Sequence, residues 1–461
     1  MNQGVQSSRV DGLSLTRSLA LFLLANALVL NGALWLLAPS GYNETVLQHS
    51  WQVLAGEGMD DSWGIMSQVL DYAQAPHSTP LYTEIFFNRH IKFQYSPASL
   101  FAISLMRMFG EGRVRVNEVY NGPWPPMDIV FSSIFIALTT VATALILELQ
   151  LRRTYPQTEW HKTTALRAML VVGFALTFYP IVKAFTLGQI QVWINAMFAL
   201  AVLAWMLGWR ASSGILIGLI SLIKPHYSLF LVWGALRAEW RFVIAVVATG
   251  CLGLAASVAA FGLADNLDYL SVLLYMFQRG EAFYPNQSIN GLLNRLTSIH
   301  QPEQSGNLEF FIDRYAPFNA WIYGLSMAAT VVILLMAVIP RPGHGDKRVL
   351  DFCTMGLSAV LASPIAWEHH YGILLPIFAV LLVGALESRP QIIALGICYV
   401  LASNYFPITQ LLAGSLLNVG QSYVLAAALV VLTLLYRQQG LDIRRIVGVT
   451  ELWPWRRRTA V

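Results

Sequence analysis

Charge is what this sequence has least of. Of its 461 residues only 12% are Asp, Glu, Lys or Arg, against 56% hydrophobic residues, whereas a soluble domain carries about 25% charged residues. So few charges could not cover an ordinary water-soluble enzyme, nor the separate soluble domains that length alone would allow at about 150 residues each. Cysteine is almost missing too. Cys251, Cys353 and Cys398 lie in apolar runs, without a CxxC pair or metal-ligand spacing, and read as small core hydrophobes with no disulfide framework. There is no Walker loop, GxGxxG fingerprint or HExxH, so ATP-driven transport, dinucleotide chemistry and zinc proteolysis find no support. The net charge of +4 gives no sign of a nucleic-acid partner, and no internal repeat suggests an inverted-repeat transporter.

Long apolar runs are what is there. A helix needs about 20 apolar residues to cross a hydrocarbon core of about 30 Å. Such runs cover residues 16–38, 127–151, 165–185, 189–209, 241–262, 318–339, 348–363, 370–386, 390–405 and 418–437. The first follows Arg9 and Arg17 and is too long for a signal-peptide core, so it is read as an uncleaved helix. Between Arg210 and Arg237 a further apolar stretch is interrupted by Lys224-Pro225-His226 and reads as a hairpin of two short helices. The expectation is an all-α, polytopic membrane protein of about twelve transmembrane helices, one domain over residues 1–437 followed by a basic tail over 438–461.

The few basic residues give an orientation, because basic loops stay cytoplasmic. The N-terminus, Arg152-Arg153 with Lys162 and Arg167, Arg210, Arg237 to Arg241, Arg341 with Lys347-Arg348, Arg389, Arg444-Arg445 and Arg456-Arg457-Arg458 all fall on one side of this arrangement. Both termini are then cytoplasmic, in a bacterial inner membrane, with the tail and its Trp453 and Trp455 on the anionic leaflet. Two long segments, 39–126 and 263–317, become structured extracytoplasmic loops. The first includes Pro97 to Phe109, too short to span and read as an interfacial helix starting at Pro97.

Polar residues not explained as cytoplasmic anchors gather on the outer side. They are Asp60-Asp61-Ser62-Trp63, Lys92-Phe93-Gln94-Tyr95-Ser96-Pro97, Gly188-Gln189-Ile190-Gln191, Lys224-Pro225-His226-Tyr227, Asn286-Gln287-Ser288-Ile289-Asn290 with Arg295, and Ser363-Pro364 with Trp367-Glu368-His369-His370. Each has an ordinary reading alone: a solvated acidic loop, a snorkelling lysine, a turn, surface charges. His369 and His370, as helical neighbours about 100° apart, would not face one point, which disfavours a two-histidine metal site. Convergence of sequence-distant clusters on one face points instead to a shared outward-facing site. Lys, Arg and His can hold a phosphate at headgroup level, amides and aromatic faces suit a sugar, and an aspartate can deprotonate an acceptor hydroxyl. A lipid-phosphate-linked sugar fits all of these. A transporter or flippase of such a lipid, the alternative, would need polar residues through the membrane and on both faces, and the cytoplasmic side offers mainly basic anchors. A scaffold would explain the apolar mass but not the outer polar gathering.

The same motifs resemble glycosyltransferase family 87, a membrane family of the C-type superfamily. The resemblance rests on Asp61-Ser62-Trp63 with Met66 and Leu70, Leu81-Tyr82, Phe86-Phe87, Lys92 to Pro97, Gly188-Gln189, Lys224-Pro225, Asn286-Gln287-Ser288 with Arg295, Ser363-Pro364 and Trp367 to His370. Ser96-Pro97 stands where the family usually has Pro-Pro. The resemblance implies a polyprenyl-phosphate hexose donor, usually mannose, and inverting transfer to a hydroxyl of a lipid or glycan acceptor outside the membrane, without a metal cofactor. It implies Asp61 as general base, with Asp60 the alternative. The donor phosphate would be held by some of Lys92, Lys224, Arg295, His369 and His370. Sugar and acceptor would meet Gln94, Tyr95, Gln189, His226, Asn286, Gln287, Trp367 and Glu368. The acceptor's identity and the oligomeric state are left open by the sequence.

Overall fold

The structure is a computed structural model that describes residues 11–38, 44–110, 126–297, 315–340, 346–413 and 415–440. The expected tail beyond residue 440, and residues 39–43, 111–125 and 298–314 of the two long loops, lie outside the described residues.

Among the described residues the fold is helical, with an isolated two-residue bridge between Asn286 and Trp367 and no strand. In chain order the helices are α1 (Gly12–Leu37, with a π-helical turn at Ala25–Leu30), α2 (Val46–Ala55), α3 (Trp63–Gln74), α4 (Leu100–Arg107), α5 (Met127–Thr154), α6 (Thr164–Leu176), α7 (Tyr179–Thr186), α8 (Gln191–Met206), α9 (Arg210–Ile223), α10 (Phe230–Ala235), α11 (Trp240–Arg279), α12 (Ile289–Thr297), α13 (Ala320–Val338), α14 (Asp346–Leu361), α15 (Leu374–Ala385), α16 (Arg389–Ser403) and α17 (Tyr423–Gln438). Short 3-10 turns at Pro97–Ser99, Pro225–Leu229 and Glu368–Ile373 lead into α4, α10 and α15.

The protein is an all-α polytopic membrane protein. Among the described residues six helices are each long and apolar enough to cross a bilayer, namely α1, α5, α11, α13 and, counted with the 3-10 turns that precede them at Glu368–Ile373 and Leu416–Ser422, α15 and α17; there are seven if α6 and α7, bent by 57° where Tyr179-Pro180 opens α7, form one span. The apolar helices α8, α9 and α16 are shorter. The expected hairpin is α9, the Pro225–Leu229 turn and α10. One boundary differs from the sequence reading: the run expected to end at 262 continues as a 40-residue helix, α11, kinked at Gly262. There φ is +80° with ψ 157°, a conformation open to glycine and costly for other residues.

Because lipid tails are as apolar as the helices, packing relies on small residues and internal polar partners. Gly214 and Gly218 let α9 lie directly on α11, where a Cβ at Gly214 would come within 2.5 Å of the Phe242 carbonyl oxygen. Aromatic rings of Trp205, Phe230, Trp233, Phe242 and Phe352 interlock beside them. Several basic residues read as anchors form pairs inside the bundle: Arg167 with Glu148 at 2.5 Å, Arg237 with Asp351, and Arg210 with Glu239 at 3.2 Å. At the π-helical turn of α1 and just after it, buried Asn26 and Asn31 bond to Ser403, the last residue of α16, and to Asn404 beyond it, which ties the two helices together through side-chain amides.

Candidate active site

The site is assembled on a turn. Between α7 and α8 the chain reverses at Gly188, whose φ is +67°. The Met59–Ser62 segment lies along this turn, through Met59 N–H to the Thr186 carbonyl (2.7 Å), Asp61 N–H to the Leu187 carbonyl (3.0 Å) and Ser62 N–H to the Gly188 carbonyl (3.1 Å). A Cβ on residue 188 would fall 2.1 Å from the Met59 carbonyl oxygen, so only glycine permits this approach.

That docking sets Asp61 beside Gln189. The Gln189 carboxamide oxygen accepts from the Ser62 hydroxyl at 2.7 Å and from the Tyr95 hydroxyl at 3.1 Å. With both hydroxyls on the oxygen, the amide must present its NH2 to the Asp61 carboxylate, and it does. Asp61 is open to a cavity on one side and enclosed by protein on the others. Burial pushes its carboxyl above the ordinary aspartate value, while the Gln189 hydrogen bond and the Lys92 charge pull it back. Asp60 turns the other way: its carboxylate lies over Gly64 in the first turn of α3, and it is not part of the cavity wall.

The cavity is about 270 Å³ in volume and is lined by Asp61, Lys92, Gln94, Tyr95, Gln189, Trp367, His369 and His370 together with Ser62, His90 and apolar neighbours. Eight of the sequence-derived candidates therefore share one wall. Both histidines face it, contrary to the helical argument. Residues Glu368–Ile373 form a 3-10 turn rather than an α-helix, and the cavity wraps around its start, with the two rings 4.7 Å apart and nearly perpendicular. His370 Nδ1 accepts from the Trp367 backbone N–H at 3.2 Å, leaving Nε2 for other partners.

The remaining candidates lie behind the wall. Lys224 is buried, donates to the Gln191 side-chain oxygen at 2.7 Å, and among the described residues forms no ion pair with a carboxylate. His226, His369 and His370 all lie within reach of its charge. Glu368 points away from the cavity and accepts from the Tyr423 hydroxyl at 3.0 Å. Asn286, Gln287 and Arg295 act on the scaffold. Asn286 bonds to the carbonyls of Glu281 and Pro364 and accepts from Ala366 N–H. The Gln287 oxygen accepts from the N–H groups of Val424 and Leu425, at the open end of α17. The terminal nitrogens of Arg295 donate to the carbonyls of Phe283 and Asn286 and to the Ser422 hydroxyl, while its Nε has no partner among the described residues. Burial among such neutral partners lowers its pKa to about 10.

Sequence reasoning missed Glu281. Its carboxylate is wholly buried and takes the Lys92 ammonium at 2.7 Å, the Trp367 indole N–H at 2.7 Å and the Gln94 amide at 3.3 Å. The only signal was a single acidic residue directly after Arg279-Gly280 in the segment read as the second long loop. Among the described residues no cluster of three or more His, Cys, Asp or Glu side chains is arranged to hold a metal ion.

The profile of glycosyltransferase family 87 matches residues 93–364, more than half of the chain. The chain belongs to glycosyltransferase family 87. The match begins directly after Lys92 and takes in Gln94, Tyr95, Gln189 and Glu281, while Asp61 lies before it and Trp367, His369 and His370 after it. Among curated relatives, the polyprenol-phosphate-mannose-dependent alpha-(1-2)-phosphatidylinositol mannoside mannosyltransferase of Mycobacterium tuberculosis is 25% identical over 279 residues, 59% of this chain and 60% of that protein. The protein of the same name from Mycolicibacterium smegmatis is 25% identical over 238 residues, 50% of each chain. This family 87 chain thus matches about half to three fifths of the length of those relatives.

Proposed function

We propose that this protein transfers a hexose, with mannose the first choice, from a polyprenyl-phosphate donor to an acceptor hydroxyl at the extracytoplasmic face of a bacterial inner membrane. The observation that carries the reading is one cavity with the Asp61 carboxylate, Lys92, His369, His370 and Trp367 on its wall, backed by Lys224 without a carboxylate counter-charge among the described residues. Burial holds the Lys224 amine well below the usual lysine range, and an anionic headgroup close by would favour its charged form. Family membership and the donor in the relatives' names support the substrate class. Their names also make a lipid-anchored mannoside the first acceptor to try.

In this mechanism Asp61 accepts the acceptor's hydroxyl proton as that oxygen bonds to the anomeric carbon. The bond from that carbon to the phosphate oxygen breaks, polyprenyl phosphate leaves, and a single displacement inverts the anomeric configuration. A carboxyl raised by burial is a stronger base than an ordinary aspartate. Lys92, Lys224 and the two histidines stabilise the charge growing on the leaving phosphate. Trp367 and Tyr95 offer aromatic surfaces to the sugar. The cytoplasmic placement of both termini rests on the basic residues.

The test is transfer of radiolabel from polyprenyl-phosphate mannose to a lipid-anchored mannoside by the purified protein. Asp61→Asn should retain the fold and lose about 10²- to 10⁴-fold in kcat. Full activity in that variant would remove Asp61 from the mechanism, and vectorial movement of the donor without transfer would favour a flippase.

A further inference from the structure

The cavity wall nearest Lys92 is held by a group outside the wall. Glu281 is fully buried, immediately after the end of α11. An isolated buried carboxylate is costly, yet here each donor around it comes from a residue that lines the cavity: Lys92, Gln94 and Trp367. The Gln94 amide also reaches the Tyr315 hydroxyl. The Lys92 ammonium lies 5.1 Å from the centre of the Trp367 ring and 5.4 Å from that of Tyr315. A flexible four-carbon side chain is thereby fixed by a carboxylate and two ring faces. The Lys92 charge reaches Asp61 across the cavity.

We propose that Glu281 is a positioning residue: it fixes the Lys92 ammonium, beside Gln94 and Trp367, where the phosphate of a polyprenyl-phosphate donor enters the cavity. This rests on the glycosyl-transfer reading above. Lys92 touches the donor and Glu281 acts through it. A lysine whose rotamers are already restricted loses less entropy when the phosphate binds, which is the advantage of preorganisation.

The experiment uses the full-length protein and four forms: wild type, Glu281→Gln, Lys92→Gln and the double variant. Two quantities are read, kcat/KM with polyprenyl-phosphate mannose and equilibrium binding of decaprenyl phosphate, which needs no turnover. Each single variant should lose about tenfold or more in both, and the double variant should lose less than about twofold beyond Lys92→Gln, the non-additivity of residues acting as a unit. Glu281→Gln within about twofold of wild type in both measurements, or losses that multiply in the double variant, would overturn the proposal. If Glu281→Gln alone does not fold, the comparison of Lys92→Gln with the double variant still decides, because the double variant leaves no unpaired buried charge: equal values support the role and a further loss refutes it. A wild-type protein that binds decaprenyl phosphate but transfers no hexose would defeat the functional reading while the binding comparison still judges Glu281. One that does neither overturns both.

Discussion

At Asp61 opposing influences act on a single proton. Enclosure by protein favours the neutral acid, and the Gln189 amide favours the carboxylate. The first is the larger, so the acid limb of kcat/KM against pH should lie above the ordinary aspartate value of about 3.9, with activity lost as pH falls through it. Gln189→Leu removes the influence that lowers the pKa and should move that limb further up. A limb unmoved or shifted down in the variant would show that Gln189 does not tune Asp61. The sequence made Asp61 and Gln189 visible as unusual polar residues, and it left Asp60 as a rival. What separates the two aspartates is direction: one carboxylate opens to the cavity and its neighbour folds over Gly64, which adjacent letters do not record. Arg295 shows the converse. A cation in a segment read as an outer loop suggests a phosphate ligand by charge, but Arg295 does not line the cavity and its terminal nitrogens donate to carbonyls and a serine.

The turn between α7 and α8 does more for the site than either helix. It offers the Thr186, Leu187 and Gly188 carbonyls to the Met59–Ser62 segment, and a side chain at 188 would occupy the space of the Met59 carbonyl. Gly188→Ala must therefore strain the backbone and push the segment away. We expect a lower thermal-unfolding midpoint, from a loss of more than about 1 kcal/mol, and a fall in kcat of order 10²-fold from misplacement of Asp61. Unchanged kcat in the folded variant would mean that the segment finds another way to hold Asp61. Gly188-Gln189 was readable as a cap between spans. Its partner more than a hundred residues earlier was not, because backbone pairing between loops leaves no pattern in side-chain periodicity. The 3-10 turn at Glu368–Ile373 was hidden for the same reason, and with it the common orientation of His369 and His370.

Across the described residues, hydropathy located the apolar helices, because in lipid the apolar run and the satisfied backbone of a helix are the same requirement; it did not find α2, α3 and α12 in the loops. It read α9 as one of two short helices and placed α16 within two residues at each end, but it could not show where a span bends or overruns: among the described residues α6 and α7 bend, and α11 overruns. Orientation remains a matter of charge, and it can be checked directly. An alkaline phosphatase reporter, active only outside the cytoplasm, should be active when fused after Thr79 and inactive when fused after Gln157. The opposite pattern would invert the proposed topology.

Helix α11 runs for 40 residues, about 60 Å at 1.5 Å per residue and twice the hydrocarbon thickness of about 30 Å. The part beyond Gly262 holds the first loop: Asp265 accepts from Leu81 N–H at 2.9 Å, Asp268 from Thr83 N–H at 2.7 Å, and the Tyr269 hydroxyl reaches the Gln94 carbonyl at 3.1 Å. The kink is braced, since Asn266 bonds to the Gly262 carbonyl at 2.7 Å and accepts from Ser257 at 2.8 Å. These bonds tie the arm to the span across Gly262, so a tilt of the span is passed to the arm to the extent that the braced kink keeps its angle. With an arm of about 25 Å, a tilt of about 10°, well within the range helices adopt to match bilayer thickness, carries the far end near Glu281 through about 4 Å.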